Sequence, residues 1–233
     1  FVVATAGSDL ESAIAGKGAG TAELSKREKR MIANFDVGGG TTNVAIFKDG
    51  ELIDTTCLDI GGRLIRIDPD TMMVEYVAPK IADITQHMGI DVREGYKTDV
   101  MSLRKIARRM AAFLDEISGF IPRSKELPYI ITSKELKNDY KINCVTFSGG
   151  VADAVYNANI DENELFKYKD VGMILGKSIR QGALFNNVEV LIPRDTIRAT
   201  VIGAGSYSLN VSGSTINYSK NLFPLKNVPV TKI

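Results

Sequence analysis

The chain has few of the side chains that most often build covalent, metal or acid–base sites. Its 233 residues include two cysteines and one histidine, too few for a disulfide framework, a structural zinc site or histidine-based catalysis. The 29 basic and 28 acidic residues nearly cancel, so electrostatics gives no reason to expect nucleic acid or an anionic membrane as a partner. No apolar run approaches the ~18 residues of a transmembrane helix. Cysteine is scarce and no secretory signal is recognisable, which favours a cytoplasmic protein.

What is present is the composition of a globular protein, with 44% apolar and 24% charged residues. The chain begins at Phe1, without Met, inside the strand-like FVVATAG, and we expect it to be part of a longer sequence. Residues 1–30 are rich in Ala, Glu, Lys and Ser around a glycine cluster, which predicts a linker and two short entry helices. Residues 31–233 are long enough for one domain with its own core.

Three β-prone segments follow one another from residue 31. The first, MIANFDV, ends in three glycines, and the next two, TTNVAIF and LIDTTCL, are separated by a turn with Asp49 and Gly50. Because these connections are too short for crossover helices, the three strands are expected to be antiparallel. A later apolar segment, INCVTFSGG, predicts another buried strand that ends in paired glycines and leads into a helix.

Helical periodicity is clearest after residue 98, where Thr98 or Asp99 is the predicted N-cap and Gly119 the predicted stop. The other face of this helix, expected to be solvated, carries Arg104, Lys105, Arg108 and Arg109. IRIDPDTMMVEYV predicts a small hairpin, and KIADITQHMG and DVGMILGKSIRQG predict helices. The segment from residue 195 to 216 is expected to be helical or buried and to turn into a strand at Gly203 and Gly205. Residues 217–233 are expected to form an edge strand or a surface wrap.

The glycine-rich octet DVGGGTTN combines features of a phosphate site. A strand delivers Asp36 to its carboxyl end, where the carboxylate can face Mg²⁺ or its water shell. Without Cβ atoms, three glycines let backbone N–H groups approach a phosphate closely. The octet thus supplies Gly38, Gly39, Gly40, Thr41, Thr42 and Asn43 as candidate ligands, the threonines as hydroxyl donors. The alternative is a glycine-rich β-turn that Asp36 caps. The P-loop and the dinucleotide fingerprint both fail to match.

A second glycine corner, FSGGVAD, allows backbone to lie flat against a nucleobase or ribose at Gly149, Gly150 and Val151. Tight strand-to-helix packing would explain these glycines equally well. Two strands that both end in glycine can open onto one crevice at the carboxyl edge of a sheet, where open α/β sheets bind ligands. We therefore expect Gly39 and Gly150 to meet.

The order strand-DVGGGTTN-strand, turn, strand-DIGG, long helix, strand-SGG, helix resembles the second half of the actin-like ATPase superfamily. Within it, the stretches DVGGGTTNVAIFKDGELIDTTCLDIGGRLI, VTFSGGVAD and DTIRATVIGAGSYSLNVSGSTI resemble the EutA family, the reactivating factors of ethanolamine ammonia-lyase. The likeness runs from about Phe1 to Ile216. It implies an α/β, ribonuclease-H-like fold, in which parallel strands join the three antiparallel ones through helices.

Several expectations rest on this resemblance alone. The octet from Asp36 to Asn43 would grip the outer phosphates of ATP and the Mg²⁺, and the second glycine corner would match the adenosine motif. The superfamily's first phosphate loop has no counterpart before Asp36, so the chain would be the C-terminal half, and ATP hydrolysis would need the absent N-terminal domain.

The partner implied is adenosylcobalamin-dependent ethanolamine ammonia-lyase, from which damaged cobalamin would be released in the cytoplasm or at a bacterial microcompartment. A homo-oligomer stays open. Two other readings also stay open, namely the nucleotide-binding half of a small-molecule kinase and a filament or scaffold protein.

The remaining candidates point to no further site. His87 has no cluster of metal ligands around it, and Ser148 lacks a nucleophile elbow and a base. Cys57 and Cys144 lie in apolar strands and are expected to be inert core residues. Arg63 follows the glycines of DIGG and can project into the crevice, although turn packing explains those glycines as well.

Overall fold

A five-stranded mixed sheet forms the centre of the computed structural model, which describes residues 7–137 and 139–207. Its strands, in chain order, are β1 (Ile32–Val37), β2 (Thr42–Lys48), β3 (Glu51–Leu58), β6 (Cys144–Ser148) and β7 (Glu189–Val190). A separate hairpin is formed by β4 (Ile65–Asp68) and β5 (Met73–Val77). The order across the main sheet is β3-β2-β1-β6-β7.

The strand directions follow from the lengths of the connections. β1, β2 and β3 are antiparallel neighbours, whereas β6 is parallel to β1 and β7 is parallel to β6, as predicted. The turn between β2 and β3 has φ of 52° at Asp49 and 88° at Gly50, the positive pair that suits a tight hairpin. Because β1 and β6 are parallel, the two glycine corners leave the sheet at the same edge.

Nine helices surround the sheet within the described residues. They are α1 (Ser8–Gly18), α2 (Thr21–Glu28), α3 (Pro79–His87), α4 (Val100–Ile117), α5 (Leu127–Ile130), α6 (Ala152–Tyr156), α7 (Gly172–Gln181), α8 (Ala183–Asn187) and α9 (Ala199–Tyr207). The predicted N-cap is Asp99, whose carboxylate accepts from the N–H of Ser102 at 2.9 Å. None of these helices is both long and apolar enough to cross a membrane.

The two faces of the sheet differ in chemistry. On one face, Phe35 and Val37 of β1 and Phe147 of β6 belong to the main apolar core with α4, α6 and α7. The rings of Phe35 and Phe147 lie 5.7 Å apart, centroid to centroid. On the other face, under α1 and α2, the alternate residues Asn34 and Asp36 are buried and polar. The sheet therefore presents Asp36 on the face away from the apolar core.

Two sequence-based expectations are wrong. α9 runs through Gly203 and Gly205 without turning, and a Cβ on Gly203 would lie 1.9 Å from the carbonyl oxygen of Ile14. That glycine therefore serves the close approach of α9 to α1 rather than a turn. The strand expected after it, and the segment 217–233, lie outside the described residues.

Arg109 is not solvated as expected, because it forms ion pairs with Glu116 and Glu126 and its guanidinium lies 3.9 Å from the ring centroid of Phe113. Glu116 is only 2% exposed, so its charge needs this partner.

Candidate functional site

The glycine corners after β1 and β6 meet in one cavity of about 370 Å³ at the carboxyl ends of these strands. Its lining residues are Gly38, Gly39, Gly62, Arg63, Gly150, Val151, Ala154, Tyr168, Asp170, Gly172, Met173 and Ile197. The structure thus brings Gly39 and Gly150 together, as the sequence predicts. Larger cavities of about 580, 560 and 380 Å³ lie elsewhere in the described part of the chain and contain neither corner.

Backbone-to-backbone contact holds the corners together, and it requires glycine at two positions. Gly149 has a φ of +87°, and a Cβ there would lie 2.5 Å from the carbonyl oxygen of Val37. A Cβ on Gly61, in the turn after β3, would lie 2.4 Å from the carbonyl oxygen of Gly39. A third glycine turn therefore joins the two that the sequence singled out.

Several N–H groups at this edge are available to a ligand. In the described part of the chain, the N–H groups of Gly39, Gly40 and Gly150 donate to no backbone carbonyl. A Cβ on Gly40 or Gly150 would have no atom within 4 Å, so open space adjoins both. Unpaired N–H groups on bare backbone form the kind of concavity that binds anions such as phosphate.

Asp36 stands at the end of β1, 8% exposed, and does not line the cavity. Its Oδ1 accepts a hydrogen bond from the Ser148 hydroxyl at 2.7 Å, and its Oδ2 accepts one from the Thr200 hydroxyl of α9 at 3.3 Å. Burial raises the pKa of the Asp36 carboxyl, although the two hydroxyls act in the opposite direction. The carboxylate is thus ordered by hydroxyl donors and has no cation as a partner among the described residues.

A buried polar chain orients Ser148. The Asn34 amide donates from Nδ2 to the Ser148 hydroxyl at 3.0 Å, and Asn34 Oδ1 accepts from the Thr146 hydroxyl at 2.9 Å. Since Ser148 receives this bond, its own proton is left for Asp36. Sequence reasoning dismissed Ser148 as a nucleophile, and the structure makes it a positioning residue for Asp36 instead.

The other predicted site residues divide into two groups. Val151 lines the cavity, and its N–H donates to the Val37 carbonyl at 3.0 Å. Thr41 closes the turn, because its carbonyl accepts from the N–H of Gly38 at 2.9 Å. The side chains of Thr42 and Asn43 are engaged away from the cavity: the Thr42 hydroxyl donates to the Ile60 carbonyl, and Asn43 Oδ1 accepts from the Ser12 hydroxyl.

The donor set decides what kind of metal ion the site suits. Within residues 7–137 and 139–207 there is no group of three or more His, Cys, Asp or Glu side chains that would hold a metal by itself. Mg²⁺ in nucleotide sites takes one or two carboxylates, waters and the phosphates of the ligand. Asp36 beside the cavity and Asp170 in its lining are too few to hold a metal by protein groups alone, so a metal ion here would need ligands from a bound molecule or water.

Sequence reasoning missed the residues that close the cavity on the side of α7. Tyr168, Asp170 and Gly172 line it, and Asp170 Oδ1 accepts from the N–H of Gly172 at 2.9 Å. Asp170 is 6% exposed, and burial raises the pKa of its carboxyl. The one available signal was the short motif DVG at the start of α7, which follows a stretch without periodicity.

The remaining candidates behave as expected. Cys57 and Cys144 are buried, and burial raises the pKa of both thiols, so neither is activated. His87 is exposed, with Nδ1 placed 2.8 Å from the carbonyl oxygen of Asp83.

The fold and the cavity define an α/β protein with a glycine-lined cavity at the carboxyl edge of a mixed sheet. Residues 1–233 match the family model described as Ethanolamine utilisation protein EutA, and the chain belongs to this family. The resemblance inferred from the glycine motifs is thereby confirmed.

Two curated relatives carry the name "Ethanolamine ammonia-lyase reactivase EutA". The protein of Salmonella typhimurium is 37% identical over 234 residues, and that of Escherichia coli is 36% identical over 236 residues. Each alignment covers 99% of this chain and 48% of the relative, so the chain spans about half the length of these relatives.

Solved structures with a similar fold include a non-polymerisable mutant of pCBH ParM and a Ppx/GppA family member of Aquifex aeolicus. The first has a TM-score of 0.40 and 14% identity and covers 84% of this chain and 53% of its own. The second has a TM-score of 0.44 and 14% identity and covers 88% and 64%.

Proposed function

We propose that the chain is the nucleotide-binding part of a reactivase that uses ATP and Mg²⁺ to release damaged cobalamin from ethanolamine ammonia-lyase. The names of two relatives at 36–37% identity support the activity and the partner. The observation that supports nucleotide binding is the single cavity shared by Gly39 and Gly150. Two glycine corners, 111 residues apart in the sequence, open onto the same space.

Each side of the cavity suits one end of ATP. The free N–H groups of Gly39, which lines the cavity, and of the adjacent Gly40 suit the phosphates, because anions bind where bare backbone donors converge. The backbone of Gly150 and the side chains of Val151 and Met173 suit the flat face of the adenine ring. Mg²⁺ would neutralise part of the phosphate charge, and Asp36, at the carboxyl end of β1, is the carboxylate that we propose would face the ion or its water shell.

The site is linked to the helices on the polar face of the sheet. Thr200 of α9 donates to the Asp36 carboxylate, and Ala199 and Gly203 of the same helix pack against α1. A ligand that binds the Asp36 carboxylate would compete with the hydrogen bond from Thr200 and so would affect the contact between α9 and α1. Unequal affinity of a nucleotide for two arrangements of these helices would supply the free energy for a conformational change in the partner lyase.

Reactivation of cyanocobalamin-blocked ethanolamine ammonia-lyase by the intact protein, with ATP and Mg²⁺, tests the proposal. We expect Asp36→Ala to abolish reactivation while circular dichroism shows an intact fold. The matched control is Arg66→Ala, which removes an exposed side chain outside the cavity lining.

Unchanged reactivation by Asp36→Ala would contradict the assignment of Asp36 to the metal. ATP consumption that depends on a sugar or an acid would indicate a kinase instead. Sedimentation that depends on nucleotide would indicate a filament protein.

A further inference from the structure

Arg63 lines the cavity and has not yet been given a role in ligand binding. Of the residues that line the cavity in the described part of the chain, Arg63 alone carries a positive charge. Its side chain is 76% exposed, and its Nε lies 3.8 Å from Oδ2 of Asp170. Charge-assisted hydrogen bonds are about 2.7–2.9 Å long, so this pair is loose and the guanidinium donors stay available.

The loop after β1 fixes where Arg63 stands. The N–H of Arg63 donates to the carbonyl of Gly39 at 2.7 Å, and the N–H of Gly62 donates to the carbonyl of Gly38 at 3.0 Å. A Cβ on Gly39 would lie 3.1 Å from Cδ of Arg63, so the aliphatic stem lies directly on the glycine loop. The guanidinium is therefore held beside the N–H groups to which we assign the phosphates.

Asp170 attracts the Arg63 guanidinium without forming a short hydrogen bond to it. One carboxylate oxygen is tied to the N–H of Gly172, and the other faces Arg63. The backbone around Asp170 is itself anchored, because the N–H of Ile67 donates to the carbonyl of Lys169 at 2.9 Å. A fixed, buried carboxylate opposite an exposed guanidinium keeps the positive charge at the cavity, and a phosphate can then replace Asp170 as the partner of Arg63.

We infer that Arg63 binds the outer phosphates of the nucleotide and that Asp170 is the positioning residue that keeps it there in the empty site. This inference rests on the proposed nucleotide function. It makes the affinity depend on the number of phosphates, because the planar guanidinium matches phosphate oxygens with paired donors. Adenosine, which has no phosphate, should not use Arg63.

The test measures binding of ATP, ADP, AMP and adenosine, each with Mg²⁺, to the intact protein by calorimetry. Arg63→Ala should lower the affinity for ATP and ADP about 10- to 100-fold, as expected for a hydrogen-bonded charge, and leave adenosine unchanged. Arg63→Lys should recover part of the loss, because it keeps the charge without the paired donors. The Ala variant keeps the backbone hydrogen bond to Gly39, so a loss reports on the guanidinium.

Arg66→Ala is the matched control, since it changes the net charge equally and lies outside the cavity lining, stacked on the ring of Tyr76 at 5.3 Å. Equal ATP affinity of Arg63→Ala and wild type would overturn the inference and leave the nucleotide site standing. An equal loss for adenosine and ATP would also overturn it, because it would show a general disturbance of the cavity. Binding of none of the four ligands by the wild type would overturn the proposed function as well.

Discussion

Replacing Gly149 by alanine tests whether the two glycine corners depend on backbone contact. At a φ of +87°, an L-residue costs about 1–2 kcal/mol relative to glycine. The added Cβ would also lie 2.5 Å from the Val37 carbonyl oxygen, 2.8 Å from its carbonyl carbon and 3.0 Å from its nitrogen. All three are backbone atoms of β1, so relief requires moving a central strand, at about 1–3 kcal/mol.

Together these effects predict that Gly149→Ala lowers the free energy of unfolding by about 2–5 kcal/mol. That is a large part of the ~5–15 kcal/mol that stabilises a typical domain. Urea denaturation followed by circular dichroism measures the change, and an unaltered m value would show that the folded state is otherwise intact.

The neighbouring residue supplies the control. Gly150 has no positive φ, and a Cβ there would have no atom within 4 Å. Gly150→Ala should therefore be neutral, or stabilise by up to about 1 kcal/mol through the unfolded chain. Equal destabilisation by both substitutions, or a change below about 0.5 kcal/mol for Gly149→Ala, would refute the close contact with β1.

Three further predictions concern other parts of the molecule. Burial raises the pKa of Asp36 above its ordinary 3.8, so the folded chain binds this proton more tightly and loses stability as the pH rises through the raised pKa. Asp36→Asn should therefore gain unfolding free energy over the wild type as the pH rises above ~4 in urea titrations, and a constant difference would contradict this. Arg109→Ala should destabilise by about 2–4 kcal/mol in the same assay, because it leaves the buried Glu116 carboxylate with hydrogen bonds from Ser124 but without its cation, whereas Lys105→Ala should change stability by less than ~0.5 kcal/mol. Tyr168→Ala should keep the unfolding midpoint, since the ring is 63% exposed, and should weaken adenosine binding about two- to tenfold in calorimetry if the ring contacts the base. Unchanged binding would remove Tyr168 from the site.

Local signals made much of the fold predictable. The pair Asp49 and Gly50 between two β-prone segments specifies a hairpin, and short connections force β1, β2 and β3 to be antiparallel. The meeting of Gly39 with Gly150 follows from one further step, since parallel strands place their carboxyl ends at one edge.

Residues that depend on tertiary contact were not predictable. The stretch before Asp170 has no periodicity, and its place is set by a backbone bridge to Arg66. Gly203 was misread because a turn and a close helix crossing both favour glycine, and the sequence does not separate the two. The bond from Ser148 to Asp36 depends on the register of two strands 112 residues apart in the sequence.

Two close contacts at the cavity require glycine, that of Gly149 with Val37 and that of Gly61 with Gly39. Both involve backbone atoms rather than side chains. A cavity built in this way keeps its shape when neighbouring side chains change, and specificity is then left to the few side chains that reach it. Among the described residues these include one cation, Arg63, one buried acid, Asp170, and one exposed ring, Tyr168. Substitutions of these three should therefore alter which ligand binds and how tightly, whereas substitutions of Gly149 or Gly61 should alter whether the cavity forms.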